Sequence, residues 1–108
     1  MNLKVRKRDG KLQDFNGDKI VNATRKAFEE TKESYEKAAL NNVVDSVYGA
    51  VKEEEIVDIE EIQDYVETFL IENQYVKTAK AYILYRAERS KYHKKDSNDL
   101  LSNEFLSK

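Results

Sequence analysis

The chain has 108 residues and a net charge of −2, with 37% charged and 40% hydrophobic residues. That describes one highly charged domain with a single modest core and no general attraction for nucleic acid or membrane surfaces. The absence of cysteine excludes a disulfide framework, a thiol nucleophile and a cysteine zinc site, and no apolar run is long enough to span a bilayer.

Residues 2–8 and 11–15 read as the two strands of a hairpin. Between them Asp9-Gly10 suits a tight type I′ turn, in which both central residues adopt positive φ. Strict alternation places Leu3, Val5 and Lys7 on one face and Lys4, Arg6 and Arg8 on the other. Leu12 and Phe15 resume the apolar pattern after the turn. A lysine in line with two apolar residues is out of place in ordinary packing and makes sense if that face meets an anion. The bland alternative is a basic hairpin tip whose lysine reaches past its apolar neighbours into solvent.

The rest of the chain lacks proline and reads as helix. A first helix runs from Asp18 to Thr31, with Ile20, Ala23, Thr24, Ala27, Phe28 and Thr31 on one face. Ser34 is a candidate N-cap for a second helix ending near Lys52, whose buried stripe is Leu40, Val43, Val44, Val47, Tyr48 and Val51. Gly49 inside that stripe points to a close approach of a neighbour. After an acidic loop, Ile56-Val57 reads as a short third strand beside the hairpin. Asp58 and Glu61 have capping-box spacing at the start of a third helix, which runs to Glu72 and buries Ile59, Ile62, Val66, Phe69 and Leu70. A turn at Asn73-Gln74-Tyr75 leads to a fourth helix from Val76 to Tyr92. That helix carries two apolar stripes, Ala79, Tyr82 and Ile83 on one side and Ala81, Leu84 and Tyr85 on the other, as in a helix lying between a core and a partner.

No catalytic constellation is visible. His93 lies in a basic stretch and reads as solvated, and the abundant carboxylates read as outward helix faces. Gly17-Asp18-Lys19 lacks the glycine spacing and trailing hydroxyl of a phosphate loop. Lys19 is nonetheless placed in a helix first turn, where the backbone dipole disfavours a cation unless an anion binds beside it. Lys7, Arg8 and Lys19 converge if the hairpin folds over the start of the first helix, and together suit a polyphosphate. Asn16 has two compatible roles there: capping the helix, or hydrogen bonding a base or ribose.

Val5-x-Lys7-Arg8-Asp9-Gly10, followed by Phe15, Lys19-Ile20 and Ala27-Phe28, resembles the ATP-cone. So do Ile62-Gln63-Asp64-x-Val66-Glu67 with Leu70, and the run from Thr78 to Arg89. The resemblance covers residues 3–90. It implies an α+β fold, a small N-terminal β-hairpin or three-stranded sheet capping a bundle of about four α-helices. It implies a regulatory domain that binds ATP or dATP, with Mg2+ as a companion ion and no catalytic cofactor. Residues 1–92 would form the nucleotide-binding unit, and 93–108 a polar tail or linker toward a catalytic domain. Val5, Lys7, Arg8, Asn16 and Lys19 match nucleotide-contacting positions of that family. Ile59 and Gln63 match positions near the base, with Gln63 standing where relatives carry histidine. Lys80, Tyr82 and Arg86 of the fourth helix are further candidates, in the service of a second nucleotide, although Tyr82 also reads as core.

ATP-cones occur at the N-terminus of ribonucleotide reductases and in a transcriptional repressor of their genes. The repressor version carries a cysteine-rich zinc ribbon, which a chain without cysteine does not match. The resemblance therefore implies a cytoplasmic allosteric switch for a ribonucleotide reductase that works through oligomerisation and performs no chemistry itself. Its partners would be adenine nucleotides, the reductase catalytic domain and further copies of the chain. Two rival classes are a nucleic-acid-binding module built on the basic hairpin, and a helical interaction domain without a ligand.

Overall fold

The first strand, β1 (Lys4–Arg6), is hydrogen-bonded along both edges. On one side it pairs antiparallel with β2 (Leu12–Asp14), and on the other it pairs parallel with β3 (Ile56–Asp58). The sheet order β2-β1-β3 comes from a computed structural model that describes residues 3–97, with side chains as far as Arg89. The helices are α1 (Gly17–Thr31), α2 (Ala38–Val51), α3 (Ile59–Glu72) and α4 (Val76–Ser97). Helix α1 packs on α4 and α2, and α3 packs on α2 and α4, so the helices close a four-membered bundle with the sheet beside it. This is the expected α+β arrangement.

The hairpin turn differs from the expected type I′. Gly10 has φ +88°, whereas Asp9 is not among the positive-φ residues. The Gly10 N–H donates to the Lys7 carbonyl at 2.9 Å, and the Lys7 N–H donates to the Lys11 carbonyl at 2.8 Å. This is a three-residue loop, a type I turn followed by a left-handed glycine, which asks for one positive φ rather than two. The loop length fixes the register, with Val5 opposite Gln13 and Arg6 opposite Leu12. Register decides facing. Leu12 is therefore turned outward and half exposed, while Gln13 shares the inner face with Val5.

Leu3, just ahead of β1, with Val5 and Val57 of the sheet, joins one core with Ile20, Phe28, Val43, Val47, Ile62, Val66, Leu70 and Tyr82. Phe28 is its far anchor. Tyr35 stacks on it at 4.0 Å between centroids, and Tyr75 meets it edge-on at 5.0 Å. Ser34 does not cap α2: residues 33–36 belong to no element, the Tyr35 ring among them is stacked on Phe28, and α2 begins at Ala38 with no side-chain cap. On α4 the buried face is Thr78, Ala79 and Tyr82, whereas Ile83, expected in that stripe, is exposed. Helix α4 also runs past the expected end at Tyr92 to Ser97. Residues 98–108, with the weak apolar pattern of Leu100, Leu101, Phe105 and Leu106, lie outside the described residues.

Helix ends show which caps formed. Asn16 Oδ1 accepts from the Asp18 N–H at 2.9 Å, capping α1. Asp58 occupies the N-cap position of α3 but makes no capping bond, because its Oδ1 takes Arg6 Nη1 at 3.1 Å. The Asp58/Glu61 capping box is thus absent. Glu61, desolvated and facing Glu54, Asp58 and Asp64, has its carboxyl held above the ordinary value. Helix α4 is capped from a distance. Glu33, just beyond α1, accepts from the Thr78 N–H at 2.8 Å and from Thr78 Oγ1 at 2.7 Å. Burial opposes the Glu33 charge, but these bonds and Lys77 outweigh it and lower its pKa.

A Cβ at Gly17 would meet Val44 Cγ1 at 2.9 Å, whereas Gly49, expected to mark a close approach, has nothing within 4 Å. Gly17→Ala should lower unfolding stability by about 1–3 kcal/mol in urea melts, and Gly49→Ala should raise it by about 0.4–1 kcal/mol. Glu33→Gln should lose about 0.5–2 kcal/mol at pH 7, the range of a lost helix cap. The Glu33 pKa is depressed on folding, so its contribution is full above the unfolded value near 4.5 and fades as pH falls through the folded one. Urea midpoints of parent and variant should therefore converge as pH falls through that folded value.

Candidate functional site

The hairpin tip, the first turns of α1 and α3 and the middle of α4 enclose an open cleft of about 240 Å³. Its apolar floor comes from Ile20 and Ala23 of α1 and Ile59 and Ile62 of α3. Tyr82 and Tyr85 of α4, with ring centroids 6.2 Å apart, form one wall. Lys7, Arg8, Lys19 and Arg89 supply four cations to the lining, and no carboxylate contributes. In a chain of net charge −2, that is a local reversal of sign.

The cations arrive by different routes. Lys7 follows β1 on its inward face, in line with Leu3 and Val5, and is half buried. Arg8 was expected on the outward face, but β1 ends at Arg6 and the turn swings Arg8 over α3. There its Nε donates to Glu60 Oε2 at 3.0 Å and its Nη2 to Gln63 Oε1 at 2.8 Å. Lys19 projects from the first turn of α1, and its Nζ donates to Gln13 Oε1 at 3.3 Å. Neither Lys7 nor Lys19 forms an ion pair among the described residues.

The outer face of the sheet is different. Lys4 pairs with Asp14 at 2.6 Å and Arg6 with Asp58 at 3.1 Å, each across a strand register pair. These cations are neutralised on the spot. The hairpin is therefore not the continuous basic surface that a nucleic-acid module would present.

Of the ten residues singled out from sequence, the fold brings Lys7, Arg8, Lys19, Ile59, Gln63 and Tyr82 together around the cleft. Four are placed elsewhere. Val5 lies in the core, 3% exposed. The Asn16 side-chain oxygen is engaged in capping α1, the first of its two compatible roles. Lys80 is exposed on α4 outside the lining. Arg86 sits behind the cleft, where it binds Glu67 at 2.7 Å, Asp64 at 2.9 Å and Glu60 at 3.1 Å. Burial works against the Arg86 charge, yet its bonds to Glu67, Asp64 and Glu60 prevail and raise its pKa. Tyr82 is both core and wall. Burial, despite the opposing field of Arg86, pushes its phenol well above the ordinary value, so it stays neutral.

Sequence reasoning missed Gln13, Tyr85 and Arg89. Gln13 became visible only through the hairpin register. Tyr82, Tyr85 and Arg89 follow helical spacing along one face, a signal hidden because Tyr85 was grouped with Ala81 and Leu84.

The ATP-cone family model, described as an ATP cone domain, matches residues 3–91. A vitamin B12-dependent ribonucleoside-diphosphate reductase from Thermoplasma acidophilum is 38% identical over 90 residues, covering 79% of this chain and 12% of that protein. A ribonucleoside-diphosphate reductase subunit alpha from Chlamydia trachomatis is 30% identical over 106 residues, covering 87% of this chain and 10% of that protein. The chain thus spans about a tenth of the length of these curated relatives.

Proposed function

The chain belongs to the ATP-cone domain family, and from that premise we propose that its cleft binds ATP or dATP and that binding regulates a ribonucleotide reductase. One observation carries the reading: four cations and no carboxylate line the cleft, and two of them, Lys7 and Lys19, have no ion-pair partner among the described residues. Lysines held beside one another without counter-charge are stabilised when a polyphosphate arrives. The Tyr82 and Tyr85 wall and the isoleucine floor suit the flat, apolar body of a purine.

In this reading Lys7, Arg8 and Lys19 hold phosphates, and Ile59 and Gln63 lie toward the base. The donor set does not fit a magnesium ion held by protein, because the lining has no carboxylate and no group of three acidic or histidine side chains is suited to a metal among the described residues. Magnesium would travel on the nucleotide phosphates. The domain would supply control rather than chemistry, with residues 1–92 as the switch and 93–108 leading toward a catalytic domain. Its place is the cytoplasm, and no described helix is long and apolar enough to cross a membrane.

Signalling requires that nucleotide favour one arrangement of the parent over another. Helix α4 offers a surface for this, since Leu84 is 70% exposed beside exposed Ile83 and Tyr85. Tyr85 also lines the cleft, so the same helix meets ligand on one side and solvent on the other.

ATP or dATP at about a hundred times its dissociation constant should stabilise the folded chain by about 2.7 kcal/mol in thermal melts. Lys7→Ala and Lys19→Ala should each weaken binding by about 1.5–3 kcal/mol in calorimetry while leaving the circular dichroism of the parent. Unchanged affinity in both variants contradicts the phosphate assignment. Sedimentation with ATP and with dATP should show a ligand-dependent change in mass, in this chain or its parent. Constant mass with bound nucleotide in both would refute the association mechanism and leave the binding site standing.

A further inference from the structure

Glu60 is shared between two arginines. Its Oε2 takes Arg8 Nε at 3.0 Å and its Oε1 takes Arg86 Nη2 at 3.1 Å. The arginines are well fixed, with side chains 11% and 15% exposed, whereas the Glu60 side chain is 52% exposed. Arg8 is also held by Gln63, and Arg86 by Glu67, Asp64 and the Glu60 backbone carbonyl. Glu60 does not line the cleft, but it occupies one edge of a guanidinium that does.

We propose that Glu60 is a positioning residue that competes with the anion of the cleft for Arg8, and that Arg86 draws it away. The inference rests on the nucleotide reading of the cleft and adds a component to it. An anion reaching Arg8 finds its Nε already engaged, and a carboxylate and a phosphate held on the same guanidinium repel each other. The half-exposed Glu60 can yield while keeping its bond to Arg86. Binding then redistributes one negative charge from the hairpin tip to α4. Arg86, singled out from sequence as a nucleotide contact, acts in this scheme through Glu60 and never touches the ligand.

The test is ATP titration of the chain and three variants at low and high salt. Glu60→Gln keeps the shape and an acceptor but removes the charge. It should bind ATP about two- to fivefold tighter at low ionic strength, the range expected for one partly exposed pair. The gain should shrink in about 0.5 M salt, as screening removes the competition. Arg86→Gln should weaken binding by a similar factor, since Glu60 then rests on Arg8 alone. The double variant should regain the affinity of Glu60→Gln, a rescue that a merely structural role for Arg86 would not give. Should Arg86→Gln fail to fold, Glu60→Gln decides the matter by itself. A folded Glu60→Gln chain that binds ATP no tighter than a binding parent overturns the competition. Absent binding by the parent overturns both this inference and the nucleotide reading beneath it.

Discussion

The double pairing of β1 is the constraint on which the rest depends. Its parallel partner β3 lies fifty-two positions along the chain, with Lys4 opposite Ile56, Val5 opposite Val57 and Arg6 opposite Asp58. Helix α3 starts immediately after β3, so the same offset continues beyond the sheet. Arg6 meets Asp58, and Arg8 meets Glu60, again fifty-two positions apart. One strand register therefore delivers the hairpin tip to the first turn of α3. The antiparallel partner β2 leads, two residues later, into α1, whose N-terminus carries Lys19 to the same place. The cleft is the corner where both connections leave the sheet.

Within that corner the molecule separates its cations by role. Lys4 and Arg6 on the outer face are matched with Asp14 and Asp58, and exposed pairs of this kind are worth about 0–1 kcal/mol each. Such energies do little for stability, but they remove unpaired charge from the outside of the sheet. Arg86 is a different case. It gathers Glu60, Asp64 and Glu67 on one poorly exposed guanidinium and binds α3 to α4 behind the cleft. Asp64 and Glu67 are thereby held outside the lining, while Glu60 is shared between Arg86 and the Arg8 of the cleft. The positive lining is thus as much a result of where the acids are held as of where Lys7 and Lys19 project.

Much of this was legible in the sequence, and the failures have physical causes. Helical periodicity located α1 and α3 almost to the residue, because their apolar faces are continuous and buried against neighbours on two sides. The turn type was missed because Asp9-Gly10 is compatible with both one and two positive φ values, and the difference of one loop residue inverted Leu12 and Gln13. The capping box at Asp58 and Glu61 failed because a tertiary partner, Arg6, claimed the carboxylate first. Gly49 had the right context for close packing, but the close approach occurs at Gly17, where Val44 abuts the start of α1. Lys7 was legible from its misplaced charge, whereas Gln13 and the Arg8–Glu60 contact depend on register. No local signal carries a pairing across fifty residues.

The energetics of the proposed switch constrain how it can work. ATP and dATP differ by one hydroxyl, and a single hydrogen bond contributes about 0.5–1.5 kcal/mol net. Moving a two-state equilibrium from one extreme to the other takes about 5.5 kcal/mol. One cleft reading one hydroxyl therefore shifts a balanced equilibrium only part of the way. The shortfall closes if several copies act together, because differential affinities add when all copies change state as one. About four copies, each contributing near the upper end of that range, span the gap. A helix that lines the cleft through Tyr85 and offers Leu84 to solvent would be placed to join those copies in the proposed switch. In that switch, association would convert a small chemical difference into a decisive one, and the exposed side of α4 would then belong to the sensing mechanism as much as the cleft.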